Sequence, residues 1–301
     1  MTKRYVYIFV IVAFLTACGG GGGNKTKPQD PAFPMVEVPA IIAEPEARTD
    51  YLAERFWDRV TDIKSIPSEE LESKFALWAT LLKRVTPDVI SAAMDRFFAG
   101  SDSLKVATIL PLADDCFYNP NSELRNEEAY LCFLKHLLRA NLPDESKRTH
   151  YEFCLKMCSM NRPGYPAADF AFTTREGKIR TLYSVKAPVI LLFFSNPGCP
   201  LCASYQEALE ADEALNGKIK TGELCVVNIY PDADVEAWKE YVSHYPQEWV
   251  CGRDHLLKVR ADLIYSLRAI PSLYLLDSDK KVILKDAVYS EVEMELHKLL
   301  Y

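Results

Sequence analysis

The sequence has no excess of positive charge and no hydrophobic run long enough to cross a membrane. Its 35 Lys and Arg residues are outnumbered by 42 Asp and Glu residues, which gives a net charge of −7. This balance argues against a nucleic-acid-binding protein, because such a protein needs a cluster of basic side chains on its binding face. The apolar run near the start, Tyr5 to Phe14, is too short for a transmembrane helix.

The nine cysteines show no repeated framework, and no second pair with suitable spacing lies near Cys199 and Cys202. A structural zinc site needs four ligands, so this pair alone does not predict one. A chain of 301 residues is long enough for about two domains with cores of their own, and it does not need a disulfide scaffold. The sequence therefore predicts neither a metal centre nor a bound cofactor.

The N-terminal residues have the features of an export signal. Lys3 and Arg4 precede the apolar run, as in a signal peptide. The run ends in Leu-Thr-Ala-Cys18, which resembles the lipobox of bacterial lipoproteins and implies a signal peptide over 1–17 and a lipid on Cys18. A cleaved signal with an incidental cysteine is the alternative. Residues 18–49, rich in Gly at first and then in Pro, predict a flexible tether. We therefore expect a protein lipid-anchored to the cell envelope, with its folded domains facing the periplasm.

Apolar residues at helical spacing dominate residues 50–160 and predict an all-α domain of five or six helices. One helix is predicted to begin with Thr86 as its cap and Pro87 in its first turn. Three further helices are predicted over 103–116, 126–140 and 144–160. Cys154 and Cys158 stand one helical turn apart, and we interpret them as buried core thiols rather than as metal or redox ligands.

A cluster of Asn, Arg, Pro and Gly at 161–166 predicts a domain boundary, and strands and helices alternate over 163–301. This alternation predicts an α/β domain with a mixed sheet and helices on both of its faces. The predicted elements are a hairpin over 169–182, buried strands over 189–194 and 224–230, helices over 234–245, 256–267 and 290–300, and a hairpin over 272–284.

The central buried strand, 189–194, runs into the sequence Cys199-Pro200-Leu201-Cys202, and a helical pattern follows. A thiol at the start of a helix meets unpaired backbone N–H groups and the positive end of the helix dipole, which favour a thiolate. Pro200 fits the first helical turn because that position needs no N–H donor. A Cys-x-x-Cys pair at such a junction is typical of a thioredoxin-like redox site.

The stretch from Gly164 to Cys202 resembles the opening of TlpA/ResA-like thioredoxin domains. It contains an Ala-Asp-Phe strand, the turn Glu-Gly-Lys and a strand that leads to Cys-x-x-Cys. Residues 267–277, Leu-Arg-Ala-Ile-Pro-Ser-Leu-Tyr-Leu-Leu-Asp, resemble the family's segment around its cis-proline. The resemblance covers 163–301. The helical domain more loosely resembles an uncharacterised module found ahead of thioredoxin-like domains in lipoproteins of anaerobic gut bacteria.

The resemblance implies a thiol–disulfide oxidoreductase that exchanges disulfides with exported proteins. Cys199 would be the exposed nucleophile, and Cys202 would resolve the mixed disulfide. Ile270 and Pro271, joined by a cis peptide bond, would line the substrate groove together with Pro200. The implied partners are exported thiol or disulfide proteins and a membrane redox donor.

The sequence departs from the family at positions beside the cysteines. Gly198 stands where the family usually has Trp, and Phe193 and Tyr205 stand where relatives place proton-handling carboxylates. Glu207 is close in sequence, but its helical spacing predicts that it points outward. The alternative function is therefore a redox-inactive or regulatory thioredoxin-fold binding module whose helical domain docks a partner. A peroxidase is disfavoured because Asn196 occupies the place where its nucleophile would need Thr or Ser.

Overall fold

The computed structural model describes residues 33–142 and 144–301, which form an all-α domain followed by an α/β domain. The first domain contains α1 (Pro45–Arg55), α2 (Ser68–Leu82), α3 (Pro87–Ala99), α4 (Ser103–Ala113), a π-helical turn (Asp114–Tyr118), α5 (Glu127–Arg139) and α6 (Glu145–Ser159). The second contains β1 (Ala171–Thr174), β2 (Ile179–Thr181), β3 (Val189–Phe194), α7 (Pro200–Ala211), α8 (Glu213–Lys220), β4 (Leu224–Tyr230), α9 (Val235–Tyr241), β5 (Val250–Asp254), α10 (Lys258–Ala261), β6 (Ser272–Asp277), β7 (Val282–Lys285) and α11 (Tyr289–Leu300). The predicted fold class is confirmed.

Side-chain caps start the helices where the sequence predicted them. The hydroxyl of Thr86 accepts a hydrogen bond from the N–H of Val89, and Pro87 is the first residue of α3. The side chain of Asn126 accepts one from the N–H of Ala129 and caps α5. Each cap satisfies a backbone donor that the helix leaves free, so short polar residues before an apolar pattern fix the start of a helix.

The helix predicted to run on to Cys116 ends earlier, where α4 gives way to the π-helical turn. Asp114 begins this turn, and its carboxylate accepts hydrogen bonds from the hydroxyls of Tyr130 (2.8 Å) and Tyr151 (3.0 Å). Both tyrosines come from later helices, so the turn is held by tertiary contacts. Helical periodicity within 103–116 does not reveal them.

The tether predicted over 18–49 was too long. Phe33 is fully buried, with its ring centroid 5.4 Å from that of Phe56 and 5.5 Å from that of Trp57, and α1 already begins at Pro45. Burying a phenylalanine side chain contributes about 2–3 kcal/mol, which is enough to hold this segment on the helical core. One isolated aromatic residue has no periodicity, so the sequence pattern did not predict its burial.

The α/β domain contains a seven-stranded sheet in the order β2-β1-β5-β4-β3-β6-β7. The central strand β3 is parallel to β4 and antiparallel to β6. Alternate residues of β3 enter two separate cores: Leu191 and Phe193 pack with Leu209 of α7, whereas Leu192 packs on the other face with Val259 of α10. Burial on both faces explains the unbroken apolar sequence of this strand.

Strand β5 was not predicted, because its Gly, Arg and Asp residues do not resemble a buried strand. It forms by pairing with β4 on one side and β1 on the other. Gly252 has a packing role there, since a Cβ atom on it would lie 2.6 Å from the ring of Phe172. The strand is therefore selected by its neighbours rather than by its own propensity.

The helix predicted over 256–267 was also wrong in its extent, because α10 contains only four residues. Leu256 and Leu257 have φ angles of +60° and +56°, in the left-handed region, and they cannot continue a helix. The carboxylate of Asp254 accepts the N–H of Val259 at 2.7 Å and starts the short helix. The chain beyond α10 then runs without regular structure to β6.

Candidate active site

The cysteine pair lies at the junction between β3 and α7. Cys199 is the N-cap of α7, and its sulfur accepts a hydrogen bond from the N–H of Cys202 at 3.2 Å. Pro200 is the first helical residue, as predicted. Gly198 has a φ angle of +72°, which other residues rarely adopt, and it makes the tight turn before the helix. The sulfur of Cys199 therefore receives a backbone donor at the positive end of a helix dipole.

The two cysteines differ in their access to solvent. Cys199 is half-buried, whereas Cys202 is only 4% exposed. Burial, with a hydrogen bond to Cys199 as a second cause, raises the pKa of Cys202 to about 12, and a hydrogen bond from the backbone of Asn196 acts in the opposite direction. Cys202 is consequently a thiol near neutral pH, and Cys199 is the sulfur that an external molecule reaches.

The segment before β6 lies against this pair. The thiol of Cys199 donates to the backbone carbonyl of Ile270 at 3.8 Å, and the Ile270–Pro271 peptide bond is cis, as the resemblance implied. Both of these residues are half-buried, whereas Pro200 beside Cys199 is exposed. The structure thus brings together the five residues predicted for the catalytic pair and its groove, namely Cys199, Cys202, Pro200, Ile270 and Pro271.

Polar groups that the sequence analysis missed lie behind the cysteine pair. The hydroxyls of Ser195 and Tyr245 share a hydrogen bond of 2.9 Å, and the side-chain amide of Asn228 donates to Ser195 at 2.8 Å. All three side chains are buried. Burial raises the pKa of the Tyr245 hydroxyl, so the network stays neutral. Its members lie just after β3, in β4 and after α9, and no local motif joins them in the sequence.

A second unpredicted contact fixes the loop between β3 and Cys199. The side-chain amide of Asn196 donates to the carboxylate of Asp232 at 2.5 Å. Asp232 follows β4 and forms an ion pair with Arg260 at 2.6 Å. This chain of contacts ties the loop to the end of the neighbouring strand. A turn that presents a reactive sulfur is held more firmly when its own side chains are bonded in this way.

Hydrophobic and aromatic side chains occupy the places where relatives put carboxylates. Phe193 is fully buried, and the ring of Tyr205 packs against that of Tyr289 with centroids 5.1 Å apart. Glu207 is exposed, as predicted. Within residues 33–142 and 144–301, no carboxylate forms a hydrogen bond with the sulfur of Cys199 or Cys202.

The remaining cysteines do not form a second site in the described part of the chain. All eight cysteines there are free, and no group of three or more His, Cys, Asp and Glu side chains could hold a metal ion. Cys154 and Cys158 are buried in the helical core, as predicted, and Cys251 is buried in β5. Burial raises the pKa of each of these thiols, which keeps them protonated and unreactive.

Comparison with known proteins identifies the family to which the chain belongs. The profile of a domain of unknown function, DUF5106, matches residues 17–161. The crystal structure of a thioredoxin-like protein from Bacteroides caccae is 32% identical to the chain, with 88% of this chain and 98% of that chain covered and a TM-score of 0.82. The chain belongs to the thioredoxin-like proteins. The predicted thioredoxin-like domain with an uncharacterised helical domain ahead of it is thereby confirmed.

Two further solved structures match about half of this thioredoxin-like chain. The C-terminal domain of an uncharacterized protein from Bacteroides fragilis is 42% identical, covers 46% of this chain over 98% of its own length and has a TM-score of 0.44. The thioredoxin domain of a thiol-disulfide oxidoreductase from Bacteroides vulgatus is 19% identical, covers 46% of this chain over 99% of its own length and has a TM-score of 0.41. No curated protein matches the chain.

The predicted export features lie in the first part of the chain, before the described residues begin at Phe33. The signal peptide over 1–17 and the lipidation residue Cys18 both fall outside the described residues. Within 33–142 and 144–301, no helix has both the length and the apolar character that a bilayer crossing requires.

Proposed function

We propose that the protein is a thiol–disulfide oxidoreductase that exchanges disulfides with exported proteins through Cys199 and Cys202. One observation carries the proposal: the half-buried sulfur of Cys199 caps a helix, and the buried Cys202, whose N–H donates to that sulfur, follows one helical turn later. A helix N-terminus favours the thiolate form, which is the nucleophile in disulfide exchange. A buried thiol at a distance of one helical turn is placed to attack the same sulfur afterwards.

The reaction proceeds in two exchange steps. The Cys199 thiolate attacks one sulfur of a substrate disulfide, which breaks the substrate S–S bond, forms a mixed disulfide and releases one substrate thiolate. Cys202 then loses its proton to that thiolate or to water and attacks the sulfur of Cys199. The second substrate thiol leaves, so the substrate is reduced and Cys199 and Cys202 are joined as a disulfide. A dithiol donor reverses these steps and regenerates the pair.

A redox titration tests this proposal. The purified protein is equilibrated with glutathione at graded ratios of reduced to oxidised form, alkylated, and analysed peptide by peptide by mass spectrometry. We expect Cys199 and Cys202 to change together from dithiol to disulfide as the ratio becomes more oxidising. Buried Cys154 should remain a free thiol at every ratio, so that it is alkylated after the protein is denatured. A midpoint near −270 mV, about that of thioredoxin, identifies a reductant, and a far more positive midpoint an oxidant. A pair that stays reduced at every ratio supports the redox-inactive binding module instead.

The same proposal includes a lipid anchor on Cys18, a location on the periplasmic side of the cell envelope, and a membrane redox donor as the regenerating partner. It is supported by Lys3 and Arg4, the apolar run after them and the small residue before Cys18. We expect labelled palmitate to be incorporated into the wild-type protein and not into Cys18→Ala. Equal labelling of both would contradict the anchor, as would complete release of the wild type by osmotic shock.

A further inference from the structure

The segment 268–272, which passes the cysteine pair, is held at both of its ends by one side chain. The carboxylate of Asp286 accepts hydrogen bonds from the guanidinium of Arg268 at 3.0 Å and from the hydroxyl of Ser272 at 2.7 Å. Between these two residues, the carbonyl of Ile270 accepts from the thiol of Cys199. The backbone that faces the reactive sulfur is therefore fastened on either side of its point of contact.

Arg268 also reaches into the helical domain. Its guanidinium forms an ion pair with Glu127 at 2.6 Å, donates to the backbone carbonyl of Tyr118, and lies 4.2 Å above the ring of Tyr118. Glu127 is the first residue of α5, and Tyr118 ends the π-helical turn. Three separate contacts thus join the active-site segment to two elements of the other domain.

A second cation holds the same carboxylate from the other side. The ammonium of Lys285, on β7, lies 2.6 Å from Oε2 of Glu127, the carboxylate oxygen that does not pair with Arg268. It also donates to the carbonyls of Met157 and Met160 at the end of α6. Glu127 is therefore fixed between two cations of the thioredoxin fold.

The burial of this network makes its geometry rigid. The side chains of Arg268, Glu127, Asp286 and Lys285 are only 12%, 10%, 6% and 4% exposed. Each of these four side chains has a partner of opposite charge among them, and separating them would leave an unpaired buried charge, which is far more costly than opening a surface ion pair. Solvent-exposed pairs do not restrain a backbone segment to this degree.

We propose that the helical domain positions the substrate-binding segment 268–272 through Arg268, with Glu127 as its partner. This inference rests on the proposed function, since it concerns how that same site binds a polypeptide disulfide. A substrate strand placed beside Cys199 would lie against the backbone of this segment. Holding the segment in place beforehand removes the entropic cost of ordering it on binding. Arg268 is thus a positioning residue, and the helical domain influences the binding of substrate polypeptides through it.

Steady-state reduction of insulin by the full chain, with dithiothreitol as the donor, tests the proposal. We expect the KM for insulin to rise about tenfold in Arg268→Ala and Glu127→Gln. In these variants about one more backbone residue must be ordered when the substrate binds, and the entropic cost of ordering one residue corresponds to about a tenfold loss of affinity. The kcat should stay within about twofold of wild type, because the N–H contact that sets the geometry of Cys199 lies within α7. Arg268→Lys should fall between these values, because an ammonium cannot contact Glu127, Asp286 and Tyr118 together.

Lys83→Gln is the matched control. Lys83 pairs with Glu291 at 2.6 Å, and this ion pair also joins the two domains but does not touch the segment 268–272. Its KM should equal that of wild type. Amide hydrogen exchange of peptides covering 264–276 should quicken in Glu127→Gln and not in Lys83→Gln, and this readout does not depend on activity.

Unchanged exchange and unchanged KM in Glu127→Gln would overturn the positioning role, as would an equal change in Lys83→Gln or a fall in kcat at constant KM. The proposed function fails in a different way. Wild-type protein that does not reduce insulin contradicts the oxidoreductase, and the hydrogen-exchange comparison then still decides whether Glu127 holds the segment. Circular dichroism of each variant confirms that it is folded.

Discussion

Replacing Cys199 by serine is expected to abolish disulfide reduction by the protein. A serine hydroxyl in the same place still meets the N–H of Cys202, but it is not deprotonated near neutral pH and does not attack sulfur. Because the other thiol of the pair is buried and protonated, it does not take over the role of nucleophile. We expect insulin reduction by Cys199→Ser to fall below about 1% of the wild-type rate.

Cys132→Ser provides the control for this loss. Cys132 lies on α5 in the helical domain and is half-buried like Cys199, but burial raises its pKa and outweighs the opposite effect of nearby Lys135 and Arg162. This variant should retain the wild-type rate. Equal activity of wild type and Cys199→Ser would exclude Cys199 as the nucleophile. If both are inert and still capture a partner protein, the binding-module alternative is favoured.

Replacing Cys202 by serine is expected to trap the substrate rather than release it. In this variant Cys199 still attacks a substrate disulfide, but no second sulfur is present to break the mixed disulfide. The position of Cys202 is buried, so a thiol from solvent reaches it slowly and does not efficiently replace Cys202. We expect a covalent adduct with insulin or with an exported disulfide protein on a non-reducing gel, in more than about half of the protein, whereas wild type accumulates little.

Dithiothreitol should release this adduct, and peptide mapping should locate it on Cys199. A double variant, Cys199→Ser with Cys202→Ser, should form none under the same conditions. An adduct that persists in the double variant would place the reactive thiol elsewhere in the chain. An adduct mapped to Cys202 would reverse the assigned order of attack.

The loop that carries the cysteine pair could be predicted from the sequence because its determinants are local. A buried strand, a turn with Gly198, and a helix start with Cys199 and Pro200 follow one another along the chain. Each of these features leaves its own signature in consecutive residues. The place of Ile270 beside the sulfur was different, since it followed from the resemblance to a known family and not from periodicity.

Other parts of the site depend on residues that meet only after folding. Arg268 and Glu127 stand 141 positions apart, and Ser195 and Tyr245 stand 50 apart. A single sequence contains no pattern that connects such residues. Strand β5 was missed for a related reason, because its neighbours in the sheet stabilise it although its own composition does not. Local rules therefore predict where a reactive sulfur lies and leave the groups that hold its surroundings unidentified.

The buried Phe33 would limit the distance between the cysteine pair and the bilayer in a lipid-anchored protein. If Cys18 carries the proposed lipid, the fully extended chain between Cys18 and the point where Phe33 enters the core spans at most about 50 Å. A tether that continued to residue 49 would allow about twice that distance. Under that proposal the folded domains would lie near the bilayer, and a donor in the membrane would have to present its thiols close to the bilayer surface.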